Sequence, residues 1–238
     1  MKYLDVSTWQ GSIDWAKVKA DGVDGVIIRA GFGSNTMDNK FIRNISECNR
    51  LGIPCGVYWF SYAYTEEMAR KEAEYCLSVI KPYRVELPVC FDFEGDSVAY
   101  AKKQGVTITK ALASAMVRAF CDTIEKAGYY AMNYANPDYL KNYFDDTVLK
   151  YDLWLAWYKT NPNLKEKPRK ECGIWQYTSS GKVAGISGNV DVNVAYKDYR
   201  AIIEKAGLNN LKAVETPADP EWEKFKKYMN RWLQEQAK

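Results

Sequence analysis

Histidine is absent from all 238 residues. That one absence removes Ser-His and Cys-His catalytic pairs, an imidazole base and any His-ligated zinc. Acid–base chemistry near neutral pH therefore falls to carboxylates, tyrosine or lysine. Long apolar runs are also missing: none approaches the roughly 18 residues that cross a bilayer, so nothing suggests membrane insertion. The opening Met1-Lys2-Tyr3-Leu4-Asp5 has no apolar signal core, and a secretory leader is read as absent or already removed. No long block of one charge occurs. Lys and Arg number 33 against 30 acids, a net +3, which falls short of a nucleic-acid-binding signature but favours approach to an acidic polymer. No segment repeats, and no G-x-G-x-x-G follows the first predicted strand, which argues against a dinucleotide fold. The six cysteines, Cys48, Cys55, Cys76, Cys90, Cys121 and Cys172, include no C-x-x-C and read as free, mostly buried thiols acting as small hydrophobes.

What is present is an alternation of short β-branched and aromatic runs with helical patterns. Strands are predicted over residues 2–5, 25–30, 55–62, 87–94, 129–135, 153–158, 173–177 and 190–193. Apolar positions at a period near 3.6 predict helices over 14–20, 39–51, 66–80 and 109–127. Asp14 and Thr65 read as N-caps, and Gly52 and Gly128 sit where glycines end helices. Helices between strands imply parallel pairing through right-handed crossovers. Eight strands in about 200 residues suit a closed ring better than an open sheet. Residues 1–206 are therefore expected to form an irregular TIM-like α/β barrel with eight strands and fewer than eight helices. Residues 207–220 read as a polar, proline-containing linker. Residues 221–238 read as an amphipathic helix, a C-terminal helical tail with Trp222, Phe225, Met229 and Trp232 on one stripe. That helix either docks on the barrel or opens a further module.

The chemistry concentrates in Cys90-Phe91-Asp92-Phe93-Glu94. Side chains on a strand alternate, so Val89, Phe91 and Phe93 share one face and Cys90, Asp92 and Glu94 the other. With the apolar face against the helices, both acids point inward at the carboxyl end of their strand, the rim where barrels of this type carry active sites. A buried unpaired carboxylate costs several kcal/mol, so stability alone does not account for two of them. Asp5 ends the first strand and Asp191 lies in the last. First and last strands are neighbours in a closed ring, so these two acids should meet Asp92 and Glu94. Clustered carboxylates raise at least one pKa, leaving a protonated acid beside ionised neighbours, as glycosidic cleavage requires. Glu94 is read as the proton donor and Asp92 as its ionised partner. Positions i and i+2 lie about 6.5 Å apart along a strand, which leaves direct attack, an activated water and substrate assistance all open. Tyr62, Tyr134, Trp154 and Tyr177, each near a strand end, are read as sugar-binding platforms. Arg29 needs an acidic partner, in a structural or a functional role.

These residues also resemble a known family. Tyr3-Leu4-Asp5-Val6-Ser7-Thr8-Trp9-Gln10-Gly11, followed by Ile13-Asp14-Trp15, is similar to the opening of family 25 glycoside hydrolases, the Chalaropsis-type lysozymes. The stretches 25–31 and 56–62, Asp92-Phe93-Glu94, Ile174-Trp175-Gln176-Tyr177 and 188–193 continue the likeness in order, so that it spans about residues 2–205. The resemblance implies a muramidase that cleaves the β-1,4 bond from N-acetylmuramic acid to N-acetylglucosamine in peptidoglycan; such an enzyme is expected to need no cofactor or metal, and nothing in the sequence demands more than a monomer. It implies that Glu94 is the catalytic acid and that Asp92 steadies the substrate's 2-acetamido group as that group attacks the anomeric carbon. Asp5 and Asp191 would support them, with Tyr134 as the active-site tyrosine. Action on the bacterial wall follows, by an endolysin made in the cytoplasm and released, or by a chain trimmed on export. Two other readings use the same residues: a catalytically silent wall-glycan-binding barrel, and a phosphoryl-transfer enzyme whose four acids hold hard divalent cations.

Overall fold

A computed structural model describes residues 1–211; the expected tail helix and most of the expected linker lie outside the described residues. Nine strands alternate with seven helices: β1 (Lys2–Val6), α1 (Trp15–Ala20), β2 (Gly25–Phe32), β3 (Thr36–Met37), α2 (Phe41–Leu51), β4 (Cys55–Phe60), α3 (Glu66–Ile80), β5 (Val89–Asp92), α4 (Gly95–Lys103), α5 (Lys110–Lys126), β6 (Ala131–Ala135), α6 (Pro137–Asn142), β7 (Asp152–Ala156), β8 (Cys172–Gly181), β9 (Val190–Ala195) and α7 (Tyr199–Ala206). Eight strands close a barrel in the order β1-β2-β4-β5-β6-β7-β8-β9, and the two-residue β3 hangs on the edge of β2. The eight-stranded ring with fewer helices than strands is therefore present.

Sequence alternation sets the two layers. Val57, Val89 and Phe91 face outward into a core shared with Ala113, Met116, Val117 and Phe120 of α5. Tyr3, Ile27, Cys90, Met132, Trp154 and Ile174 face inward and fill the barrel. Helix ends follow local chemistry: Asp14 Oδ1 accepts from Lys17 N at 3.2 Å and Thr65 Oγ1 accepts from Met68 N at 3.1 Å. Gly52 closes α2 at φ 65°, a left-handed turn that glycine adopts without a Cβ penalty. All six cysteines are free and buried.

Three expectations are corrected. Around the ring, pairing is parallel from β1 to β8, but β9 runs antiparallel to both β8 and β1, as the edge strand β3 does to β2. The connection over residues 182–189 is too short for the helical crossover that parallel neighbours require. Helices α4 and α6 were not foreseen, and β5 stops at Asp92, so Glu94 is the N-cap of α4 and not a strand residue. Finally, the linker does not begin at residue 207. Asn209 is buried against the base of the barrel, with its Nδ2 donating to Val85 O (3.1 Å) and Leu87 O (3.0 Å) and its Oδ1 accepting from Tyr130 N (2.7 Å).

Candidate functional site

Asp5, Asp92, Glu94 and Asp191 line one cleft of about 280 Å³ at the carboxyl end of the parallel strands. Inward alternation aims Asp92, because Phe91 packs outward on Phe120 with ring centroids 5.0 Å apart. Glu94 is held by the helix start, where its backbone N–H donates to Ser97 Oγ at 3.1 Å. Asp5 stands directly opposite Asp191 in the β1–β9 ladder. Asp191 reaches this rim because its strand is reversed: it lies near the beginning of β9, where the other acids lie at or beyond the ends of theirs.

A polar network fixes the cleft floor. Asp5 Oδ2 accepts from Gln176 Nε2 at 3.0 Å and from Asn193 Nδ2 at 2.8 Å. Gln176 Oε1 in turn accepts the Tyr134 hydroxyl at 3.0 Å and the Tyr158 hydroxyl at 2.8 Å. Trp154 Nε1 donates to Asn193 Oδ1 at 2.7 Å. The acids stand as two close pairs, Asp5 opposite Asp191 and Asp92 beside Glu94. Burial is the main cause that raises all four carboxyls above their ordinary range, with the neighbouring negative charge adding to it at Asp5 and Asp92. Arg29 opposes the rise at Asp92. The buried Oδ1 of Asp92 receives no N–H donor from the described residues. Among those residues, no set of three or more Asp, Glu, Cys or His side chains is arranged to hold a metal ion.

The four aromatic expectations divide. Tyr134 and Trp154 line the cleft, although Trp154 is buried in the barrel interior with its ring edge-on to Tyr134 and Tyr58. Tyr62 lines a second cavity instead, about 390 Å³ in volume. Tyr177 is a correction. In β8 it is Ile174 that fills the barrel and Gln176 that reaches the cleft, whereas Tyr177 packs on the outer core beside Trp175. Standing near a strand end did not give it the right face. Arg29 finds its acid in Asp38, with Nε and Nη2 both 2.7 Å from Oδ2. Trp9, Tyr58, Phe60, Tyr158, Gln176 and Ser179 also line the cleft; the sequence puts Tyr58, Phe60 and Tyr158 in aromatic runs at this rim but singles out none of the six. Gln176 was discoverable by the alternation already applied to Asp92.

Comparison with known proteins adds an independent line. The family profile described as Glycosyl hydrolases family 25 matches residues 4–186. The autolytic lysozyme of Clostridium acetobutylicum is 27% identical over 197 residues, 81% of this chain and 55% of that protein. Lysozyme M1 of Streptomyces globisporus is 26% identical over 200 residues, 80% of this chain and 66% of that protein. The chain thus spans between about half and two thirds of these curated relatives' length. Among solved structures, the modular autolysin LytC of Streptococcus pneumoniae aligns at TM-score 0.71 and 35% identity, covering 82% of this chain and 46% of that one. A family 25 glycosyl hydrolase of Bacillus anthracis aligns at TM-score 0.69 and 25% identity, covering 85% and 92%.

Proposed function

The chain belongs to glycosyl hydrolases family 25, and on that premise we propose that it is a peptidoglycan muramidase. It hydrolyses the β-1,4 bond between N-acetylmuramic acid and N-acetylglucosamine, acting on the bacterial wall. The observation that carries the reading is the convergence of four carboxyls, all raised above the ordinary range chiefly by burial, on one aromatic-edged cleft. LytC has also been solved with a synthetic peptidoglycan ligand, which supports the substrate class.

Glu94 gives its proton to the leaving glycosidic oxygen. It is the less buried member of its pair and so the one open to the cleft; burial raises its carboxyl above the ordinary range, although the contact with Asp92 works in the opposite direction. Asp92 lies deeper, and its Oδ1, free of protein N–H donors, accepts from the substrate's acetamido N–H as that group's oxygen attacks the anomeric carbon. Negative charge on Asp92 stabilises the cation that develops there. Asp5, held by Gln176 and Asn193, and Asp191 keep the opposite wall acidic and ordered. Mass spectrometry of digested peptidoglycan is the test: reducing-end muramic acid is expected, and reducing-end glucosamine would overturn the bond assignment. Glu94→Gln keeps the shape and loses the proton, so lysis of a wall suspension should fall by at least about 100-fold with an unchanged unfolding midpoint. Wild-type lysis by that variant would remove Glu94 from the role. The rate should also decline as pH rises through the raised pKa of Glu94, because only the protonated form donates.

A further inference from the structure

One buried acid stands outside the cleft and outside the chemistry assigned to it. Glu72 is fully buried on α3, on the face that also carries Ala69, Ala73 and Cys76. Its Oε1 accepts from Tyr62 N at 3.0 Å, while its equally buried Oε2 receives no hydrogen bond. A negative charge there would go unpaired, whereas a proton on Oε2 leaves a neutral carboxyl that still accepts from Tyr62. Tyr62 belongs to the turn between β4 and α3. Ser61, just before it, is also fully buried; its N–H donates to Asp92 O at 2.8 Å and its Oγ accepts from Ala63 N at 3.1 Å. Phe60, one residue earlier, lines the cleft and pairs with Asp92 in the β4–β5 ladder. The turn is thus clamped on one side by Glu72 and on the other by the backbone of Asp92. Burial outweighs the hydrogen bonds of the turn and pushes the Glu72 carboxyl up to about 7, with no charged group taking part. Around it, α3 packs on β2, β4 and α5. Arg29 of β2 and Tyr58 of β4 line the cleft instead. Cys55 of β4 answers to Glu86, and Cys121, the buried ionisable group of α5, to Glu125 and Asp122. The Cys76 thiol, one turn along α3, feels the Glu72 charge.

We propose that Glu72 is a positioning residue for the reaction: in its neutral form it holds the turn of residues 61–63 against β5 so that Asp92 keeps its place, and loss of its proton releases that hold. The release follows from solvation. A bare carboxylate in an apolar lining is stabilised by water, which reaches it when the turn opens away from α3. The proposal rests on the muramidase reading and adds to the alkaline limit of the rate a second acid, one that does not touch the substrate.

The test compares wild type with Glu72→Gln, which keeps the bond to Tyr62 and cannot ionise, and with Glu72→Leu, which keeps much of the volume and loses the bond. Hydrolysis of a peptide-free tetrasaccharide of alternating N-acetylglucosamine and N-acetylmuramic acid is followed as kcat and KM across neutral pH, at a temperature where circular dichroism shows each protein folded. With rising pH, kcat of the wild type should fall through two ionisations and that of Glu72→Gln through one, the two being equal in mild acid. There Glu72→Leu should lose about tenfold in kcat with KM moved less, the pattern of a misplaced reacting group. In the wild type, the amide NMR signals of Ser61, Tyr62 and Ala63 should move with a midpoint near 7, and in Glu72→Gln they should hold still. Wild-type kcat in folded Glu72→Leu, or a pH profile that Glu72→Gln leaves unmoved, would overturn the positioning role while the muramidase reading stands. If Glu72→Leu does not fold, the Glu72→Gln profile and the amide signals decide. Amides that stay still in the wild type would overturn the clamp itself. A wild type that cuts neither the tetrasaccharide nor whole peptidoglycan would overturn the muramidase reading, and the positioning role with it, even where the amides titrate.

Discussion

Glu72 is buried on α3, away from the four acids of the cleft, and its carboxyl is pushed up to about 7, burial being the chief cause. The sign of its effect on stability follows directly. The folded state binds this proton more tightly than the unfolded chain does, so the contribution is complete below about 4.5 and is lost as pH rises towards about 7. Urea unfolding of wild type across that window should show a loss that Glu72→Gln lacks, on the order of 3 kcal/mol between the two proteins. Parallel slopes for the two would remove Glu72 as the cause. At this same scale, the site was legible where an acid interrupts an apolar strand, because a charge among Val89, Phe91 and Phe93 has few explanations. It was illegible where the working group is neutral. Gln176 and Asn193 carry the hydrogen bonds that orient Asp5, yet alternation gives only the face on which an amide lies and not its role. Trp9 lies in a short turn outside any periodic pattern, and its exposure emerges only from the fold.

At the scale of elements, the strand pattern located all eight barrel strands to within a few residues, since each is a short β-branched or aromatic run bounded by turn residues. Direction was harder to read. Parallel pairing was inferred from helices between strands, and that inference lapses after β8, where the connection has no room for a helix. Helices α4 and α6 were missed because each is short and begins at a strand's end, where the 3.6 period has too few turns to stand out. Close approach between elements explains one glycine. A Cβ on Gly173 of β8 would collide with the hydroxyl of Tyr199 on α7, which donates to Asp152 Oδ2 at 2.9 Å. Gly173→Ala should therefore destabilise the protein by about 1–3 kcal/mol, the usual penalty of overpacking, measured by thermal unfolding. A variant as stable as wild type would mean that α7 shifts without cost.

Across the whole molecule, residues far apart in sequence close the barrel at both ends. At its base, Asn209 ties together the segments that lead into β5 and β6 through backbone groups of Val85, Leu87 and Tyr130. Asn209→Ala should leave several of these buried groups unpaired and cost on the order of 3 kcal/mol. An unchanged urea midpoint would show that water replaces the amide. At the rim, one of the four acids stands on β1 and a second on β9, the first and last strands of the ring, directly opposite each other. A ribosome delivers Asp5 almost at once and Asp191 only after some 180 further residues. Until that final strand inserts between β8 and β1, no nascent or prematurely ended chain owns a finished cleft, so the four acids come together only with the completed ring.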